Sequence, residues 1–354
     1  MQTTYSRAGV KSAVEMPGFK ALLKHLAPTF DFAPTGRPVI DFGYYANVLP
    51  VAQNLGIAIS TDGVGTKILV AEALRKFDTI GIDCIAMNVN DVICVGATPI
   101  SMVDYIAIEK ADDFLLEQLG IGLAEGARQA EISIPGGELA QVAEMIKGAA
   151  QGSGFDLVGT CIGTVPLDRM ITGKNIEPGD AIIGLASCGI HSNGLTLARG
   201  VLPDLSEQVA VLGCTVGEEL LRPTTIYARF TKALLAAAID VRALAHVTSD
   251  GFLNLARVEA DVTFDIERLP EPPAVFTLIQ DRGGISDEEM FLVYNMGIGF
   301  VAVVPRSLAN QTMTIAEQTG YQAFDLGNAT NEPGKRVHVR PRGLVGETGQ
   351  FRKA

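Results

Sequence analysis

The run Ile57-Ala58-Ile59-Ser60-Thr61-Asp62-Gly63-Val64-Gly65-Thr66-Lys67 decides how this chain is read. Its apolar opening is the end of a strand over 55–60, and the small polar residues that follow predict a turn over 61–66. Glycines, hydroxyls, an acid and a lysine are packed into eight positions. Glycine lets a backbone approach a ligand closely. Free N–H groups in such a turn cradle phosphate oxygens, lysine adds a compact positive charge, and an aspartate suits Mg²⁺. The spacing is not that of a Walker loop, G-x-x-x-x-G-K-[ST]. A solvated turn between two elements is the competing reading at this point.

Working outward, residues 78–95 read as a helix. Asp83, Met87, Asn90 and Asp91 lie along one side of it, and Ile82, Ile85, Ala86, Val89 and Ile93 cover the adjoining apolar side. Gly96 to Pro99 stops it. Ile100–Ile108 reads as a strand whose apolar run is broken by Asp104. Residues 112–130 predict an amphipathic helix with an acidic start, and 154–167 another strand. Upstream, Met16–Leu26 predicts a helix broken by Pro28 and Pro34, and residues 30–50 a loop leading into a short strand.

A break near Asp168–Asp180 divides the chain into expected domains of 1–167 and 168–354. The second half repeats the opening logic: a strand Ala181–Ala186, the small-residue loop Ser187-Cys188-Gly189-Ile190-His191-Ser192-Asn193-Gly194, then a helix Leu195–Val201. Further strands are expected over Phe300–Val304 and Arg336–Arg340, ahead of a frayed polar tail. Both halves are mixed α/β, an α/β (α+β) class of fold.

The 354 residues are 47% hydrophobic and 19% charged, a core-rich globular composition. A net charge of −12 argues against nucleic acid as the main partner, because phosphate neutralisation needs a basic face. Five cysteines with no C-x-x-C pair suit reduced thiols, and four scattered histidines give no zinc signature. No apolar run reaches membrane-span length and the N-terminus has no signal-peptide core, so a soluble, cytoplasmic protein is expected.

Three acids sit where metal ligation is plausible chemistry: Asp62, Asp91 and Glu138, each flanked by glycine or asparagine. Capping and turn chemistry is the alternative for Asp62 and Glu138, and an exposed helix face for Asp91. His191, with Ser192 and Asn193 ahead of a helix, suits an anion or proton transfer. His246, before Val247-Thr248-Ser249-Asp250-Gly251, is balanced between catalysis and a structural hydrogen bond. No G-x-S-x-G elbow occurs, and Cys188 has no neighbour that would favour a thiolate.

Taken together these segments resemble the aminoimidazole ribonucleotide synthetase (phosphoribosylformylglycinamidine cyclo-ligase) family, in order and over most of the chain. Tyr5-Ser6-Arg7-Ala8-Gly9-Val10 is similar to its Y-x-x-A-G-V opening, and Thr61–Lys67 to T-D-G-V-G-T-K. Asp78–Asp83 with Ala86–Asp91 is similar to D-T-I-G-I-D and A-M-x-V-N-D. Gly136-Gly137-Glu138, Gly189–Gly194, Leu221–Tyr227 and Glu289-Met290-Phe291 with Asn295–Gly299 complete seven segments in register.

The resemblance implies two mixed α/β domains: an N-terminal one whose strands pair into a barrel across a homodimer, and a C-terminal sheet with helices. It implies ATP-dependent ring closure of formylglycinamidine ribonucleotide in purine biosynthesis, with ATP and Mg²⁺ as cofactors. By position, Thr61, Asp62, Gly63, Gly65, Thr66, Lys67, Asn90, Asp91 and Glu138 would hold nucleotide, with Asp62, Asp91 and Glu138 on the metal. Ser192, Asn193 and Gly194 would bind substrate, and His191, Lys67 and His246 would serve catalysis. The departures are Leu139-Ala140-Gln141-Val142 for T-A-E-M, Thr225 for arginine, Ser249-Asp250 for two glycines, and a poor match at Asp41-Phe42-Gly43-Tyr44. A selenophosphate synthetase or thiamine-monophosphate kinase type of enzyme, and a non-catalytic nucleotide-binding paralogue, are the alternatives.

Overall fold

The computed structural model describes residues 16–32 and 35–354; the expected Y-x-x-A-G-V match and the Pro34 break lie outside them. The first part of the chain runs α1 (Pro17–Leu26), β1 (Asn47–Ala52), β2 (Leu55–Gly63), α2 (Ile68–Leu74), α3 (Ile80–Cys94), β3 (Thr98–Ile108), α4 (Asp113–Ala130), β4 (Gly137–Gln141) and β5 (Phe155–Val165). The strands form one sheet in the order β1-β2-β5-β3-β4, antiparallel except for the parallel β3/β4 edge.

Burial along β5 alternates strictly from Phe155 to Val165. Among the described residues, one face of the sheet therefore packs on helices and the other does not. Helix α3 covers the packed face and is buried on almost every side. It crosses α4 at backbone contact. A Cβ on Gly81 would stand 2.1 Å from the Leu123 nitrogen, and one on Gly122 2.6 Å from the Asp78 oxygen. The side chain of Asp112 caps α4 by accepting from the N–H groups of Phe114 and Leu115.

The second part comprises β6 (Ala181–Ala186), α5 (Leu195–Val201), β7 (Gln208–Val209), β8 (Cys214–Thr215), α6 (Val216–Leu220), α7 (Ala228–Ala236), β9 (Ala243–His246) and β10 (Thr263–Ile266). It continues with α8 (Ala274–Gly283), α9 (Asp287–Val293), β11 (Ile298–Val304), α10 (Ala309–Gln318), β12 (Ala323–Thr330), β13 (Val337–Val339), β14 (Leu344–Glu347) and β15 (Gln350–Lys353). Eight of these strands form a second sheet in the order β15-β14-β13-β10-β12-β6-β11-β9. Two of its interior strands, β6 and β11, are buried almost throughout, which suits runs of Ile, Val, Ala and Leu.

Four expectations are corrected. The turn expected over 61–66 begins later, because β2 stays in register with β5 through Thr61↔Thr160, Asp62↔Gly159 and Gly63↔Val158. The turn itself is a short 3-10 segment, Gly65–Lys67. Gly137-Glu138 is the start of a strand, held by pairing with β3. The strand over Arg336–Arg340 shortens to Val337–Val339. The tail is not frayed: β14 and β15 make a hairpin, and Phe351 is buried with its ring 6.4 Å from that of Phe291.

Candidate functional site

At the end of β2 the backbone of Asp62 is gripped by Asn88 from α3. Asn88 Oδ1 accepts from the Asp62 N–H at 2.9 Å, and its Nδ2 donates to the Asp62 carbonyl at 3.1 Å. The Gly63 N–H donates to Asp62 Oδ1 at 2.8 Å. One turn beyond Asn88 on the same helix stands Asp91. Burial pushes the Asp62 carboxyl up to about 6, the Asp91 charge adds to that, and the Gly63 N–H and His246 oppose it. Neither acid has a lysine or arginine partner among the described residues. Two poorly solvated carboxylates held beside one another are a place for a cation.

His246, at the end of β9, faces this pair from the second sheet and is fully buried. Its Nδ1 stands 3.0 Å from Asp91 Oδ1, and its Nε2 3.4 Å from Asn90 Nδ2. A neutral ring with the proton on Nδ1 satisfies both contacts: it donates to Asp91 and accepts from Asn90. Asn90 is itself fixed, donating to the Thr225 carbonyl at 2.9 Å and accepting from the Tyr227 N–H at 2.9 Å. Because the contact at 225 is to backbone, threonine there in place of arginine leaves it intact.

Lys67 is not presented to a ligand in this structure. It is fully buried, and its Nζ donates to Asp83 Oδ1 at 2.9 Å and to the Arg222 carbonyl at 2.5 Å. The expectation that its charge is displayed by the 61–67 loop is thereby corrected. The side chain turns inward because Asp83 offers a desolvated counter-charge. Thr61, Gly65 and Thr66 are the exposed members of the loop. Thr66 Oγ1 lies 3.0 Å from Thr196 Oγ1 on α5.

The 187–194 loop carries His191 with φ 60°, and Gly194 with φ 71° at the start of α5. His191 is buried, and neither ring nitrogen has a hydrogen-bond partner. Burial drives its pKa well below the usual imidazole range, with His246 and Lys67 adding to the effect. The ring is therefore neutral at pH 7. Gly299 on β11 makes room for it, since a Cβ there would meet His191 Cε1 at 2.5 Å. Asn295 braces the loop, accepting from Ser187 Oγ at 2.8 Å and donating to the Gly189 carbonyl at 2.9 Å. Asn193 Nδ2 is also buried without a partner. Ser192 is occupied, with Oγ 3.1 Å from Asp83 Oδ1 and 3.0 Å from Thr224 Oγ1.

Glu138 stands apart. The register runs Asp62↔Gly159↔Asp104↔Gly137 across the sheet, so Gly137 lies three strands from Asp62, roughly 14 Å. Glu138 pairs with Tyr105 in the next row, whose side chains point to the other face. Among the described residues no three His, Cys, Asp or Glu side chains gather to hold a metal. The expected trio is therefore split within one chain: Asp62 and Asp91 are neighbours and Glu138 is not.

Two residues escaped the sequence reading. Asn88 was hidden inside a helical apolar pattern. Asp104 shares the row of Asp62 and has its carboxyl raised by burial, and its only sequence signal was a lone acid in an apolar strand. The extra carboxylate at Asp250 is taken up by Arg257, 3.3 Å away.

Comparison with known proteins covers both parts of the chain. The family model for the N-terminal domain of AIR synthase related proteins matches residues 43–165, and that for the C-terminal domain matches residues 177–340. The phosphoribosylformylglycinamidine cyclo-ligase of Thermococcus kodakarensis is 46% identical over 337 residues, covering 94% of this chain and 97% of the relative. That of Methanobrevibacter smithii is 45% identical over 316 residues, covering 88% and 90%. Among solved structures, the hydrogenase maturation protein HypE in complex with ATP is similar in fold, with a TM-score of 0.60 at 17% identity, covering 88% of this chain and 87% of that one. PurL of T. maritima complexed with AMPPCP gives 0.55 at 14% identity, covering 83% of this chain and 44% of that one.

Proposed function

The chain belongs to the AIR synthase related family, and on that premise we propose that it closes the imidazole ring of formylglycinamidine ribonucleotide in purine biosynthesis, with ATP as phosphoryl donor. The observation that carries this reading is the extent of the match. Relatives bearing the cyclo-ligase name span nearly all of the chain, so the Asp62–Asp91 pair and the His191 loop both lie inside the shared stretch. The selenophosphate synthetase, thiamine-monophosphate kinase and non-catalytic readings have no observation in their favour.

In the proposed reaction the formyl amide oxygen attacks the γ-phosphorus and ADP leaves. A substrate nitrogen then attacks the activated carbon, the ring closes, and inorganic phosphate departs with the former amide oxygen. Such chemistry needs positioning and charge stabilisation more than covalent participants. The ATP complex of the HypE relative supports nucleotide binding on this fold.

Asp62 and Asp91 fit Mg²⁺: they are close, poorly solvated and free of lysine or arginine, and the Asp62 carboxyl is raised first by burial and then by the Asp91 charge. The ion would supply charge neutralisation for the phosphate oxygens. The exposed Thr61, Gly65 and Thr66, with the half-buried Gly63, would meet the phosphates through backbone and hydroxyls. Glu138 would act on the nucleotide only from its own edge of the sheet. His191, neutral and unpartnered, would donate to or accept from the reacting amide, beside Asn193 and Gly194. His246 would orient Asp91 rather than touch substrate. We place the nucleotide-binding part within 1–167 and the remainder in 168–354.

A homodimer is proposed from the uncovered face of the five-stranded sheet. Val51, Leu55, Ile100, Val103 and Tyr105 are large apolar side chains exposed there or at its rim. No helix among the described residues is long and apolar enough to cross a membrane. That and the acidic charge are consistent with a cytoplasmic enzyme acting on small molecules.

Incubation with Mg²⁺-ATP and formylglycinamidine ribonucleotide tests the proposal. Aminoimidazole product formed one-for-one with phosphate is expected. ATP binding with neither product nor phosphate would overturn it.

A further inference from the structure

Asp83 is the most heavily used polar group at the seam between the two parts of the chain. It is fully buried on α3, and its Oδ1 alone receives Lys67 Nζ at 2.9 Å, the Thr224 N–H at 2.7 Å, Thr224 Oγ1 at 2.7 Å and Ser192 Oγ at 3.1 Å. Its Oδ2 has no partner. Lys67 closes the 61–67 loop, and Ser192 follows His191 directly. One carboxylate oxygen thus joins the loop assigned to nucleotide and the loop assigned to ring closure. Crowding of donors on a single oxygen suits an ionised carboxylate, which is acceptor-only. Lys67 extends the tie by donating to the Arg222 carbonyl, two residues before Thr224.

The geometry points to Asp83 as a positioning residue that holds the 61–67 loop and the His191 loop in one register, with Ser192 and Thr224 as its arms rather than as substrate contacts. This assignment rests on the cyclo-ligase reading for its catalytic consequence but not for its structural one. A reaction that depends on near-attack geometry between a bound nucleotide and a second substrate is sensitive to displacements of about 1 Å. A shared anchor supplies that constancy where two separate anchors would let the loops drift independently.

The double variant Ser192→Ala/Thr224→Val tests this. It deletes both hydroxyl arms while leaving the Lys67–Asp83 pair and the Thr224 N–H bond in place. Two readouts apply: steady-state kcat and KM for each substrate, and amide hydrogen exchange of peptides spanning 61–67 and 189–194. The expected result is a kcat lowered about tenfold or more, a KM for ATP within about threefold of the parent, and faster exchange in both peptides together. Restoring one hydroxyl, as Ser192→Ala with Thr224→Ser, is expected to recover most of the lost rate. A kcat within about twofold of the parent overturns the assignment. So does faster exchange confined to 189–194, which would leave the 61–67 loop uncoupled. If the parent chain forms no aminoimidazole product, the cyclo-ligase reading fails on its own account, and the exchange of the 61–67 peptide still decides for or against Asp83.

Discussion

Asp91 Oδ1 and His246 Nδ1 stand 3.0 Å apart, joining helix α3 of the first sheet to strand β9 of the second. The bond fixes the rotamer of a carboxylate that also repels Asp62. Asp91→Asn keeps an oxygen for the histidine N–H, so the fold is expected to persist, but the charge is lost. Phosphate release from Mg²⁺-ATP should fall at least a hundredfold, about 2.7 kcal/mol in the barrier. Retained turnover with an unchanged urea midpoint would remove Asp91 from the proposed metal site.

The Asp62 carboxyl is pushed up to about 6 in the fold. A carboxyl raised on folding is ionised at a cost that is absent below its unfolded value near 4 and complete above about 6. Asp62→Asn should therefore be more stable than the parent at pH 8, with the gain shrinking as pH falls from about 6 towards 4. Urea unfolding at pH 8 and at pH 4.5 checks this. Mg²⁺ should erase part of the difference at pH 8, because it stabilises the ionised form in the parent only. An equal stability gap at both pH values would contradict the buried-pair account.

His191 is neutral because burial, more than any neighbour, lowers its pKa. The rate should therefore show no ionisation of this ring between pH 6 and 8. His191→Ala should lower kcat at least tenfold, about 1.4 kcal/mol. An unaffected rate would reduce the residue to filling the space above Gly299.

The buried Lys67–Asp83 pair makes a sharper statement about stability. Removing one partner strands the other charge, so Lys67→Met should cost about 3–5 kcal/mol. Lys67→Met/Asp83→Leu removes both charges but leaves the Thr224 N–H and the Thr224 and Ser192 hydroxyls without their acceptor, so it should recover only part of that loss. A single variant no less stable than the parent would mean that solvent reaches the pair.

How much of this was legible in the sequence differs from residue to residue. The helix α3 and strands β3, β5 and β6 were readable because their apolar periodicity is set by burial on one or both faces. The polar row Asp83, Asn90 and Asp91 was also visible, but its purpose was not. Two of its three members turned out to hold Thr224, Thr225 and Tyr227 across the seam, a use that depends on partners more than a hundred residues away. The inward turn of Lys67 was illegible for the same reason. Motif spacing gives the chemistry of a side chain but not whether a distant carboxylate claims it. The separation of Glu138 from Asp62 needed the strand order, because β5 inserts beside β3 between β2 and β4, where a simple chain-order meander would place β3 alone.

The uncovered face of the five-stranded sheet carries the last prediction. Val103 pairs with Thr160 at its centre and is 45% exposed, with Tyr105 two residues on at 42%. A sheet buried on one face only and lined with valine, isoleucine and tyrosine on the other gains by packing against a second copy. The parent should sediment at about twice the 37.4 kDa of one chain. Val103→Arg places a charge in that interface and should shift the mass to a single chain with the far-ultraviolet circular dichroism unchanged. Glu138, three strands from Asp62 in its own chain, would lie near the same interface. Loss of the dimer should then weaken ATP binding as well. A monomeric parent, or a Val103→Arg protein still dimeric, would show that this face is not the contact.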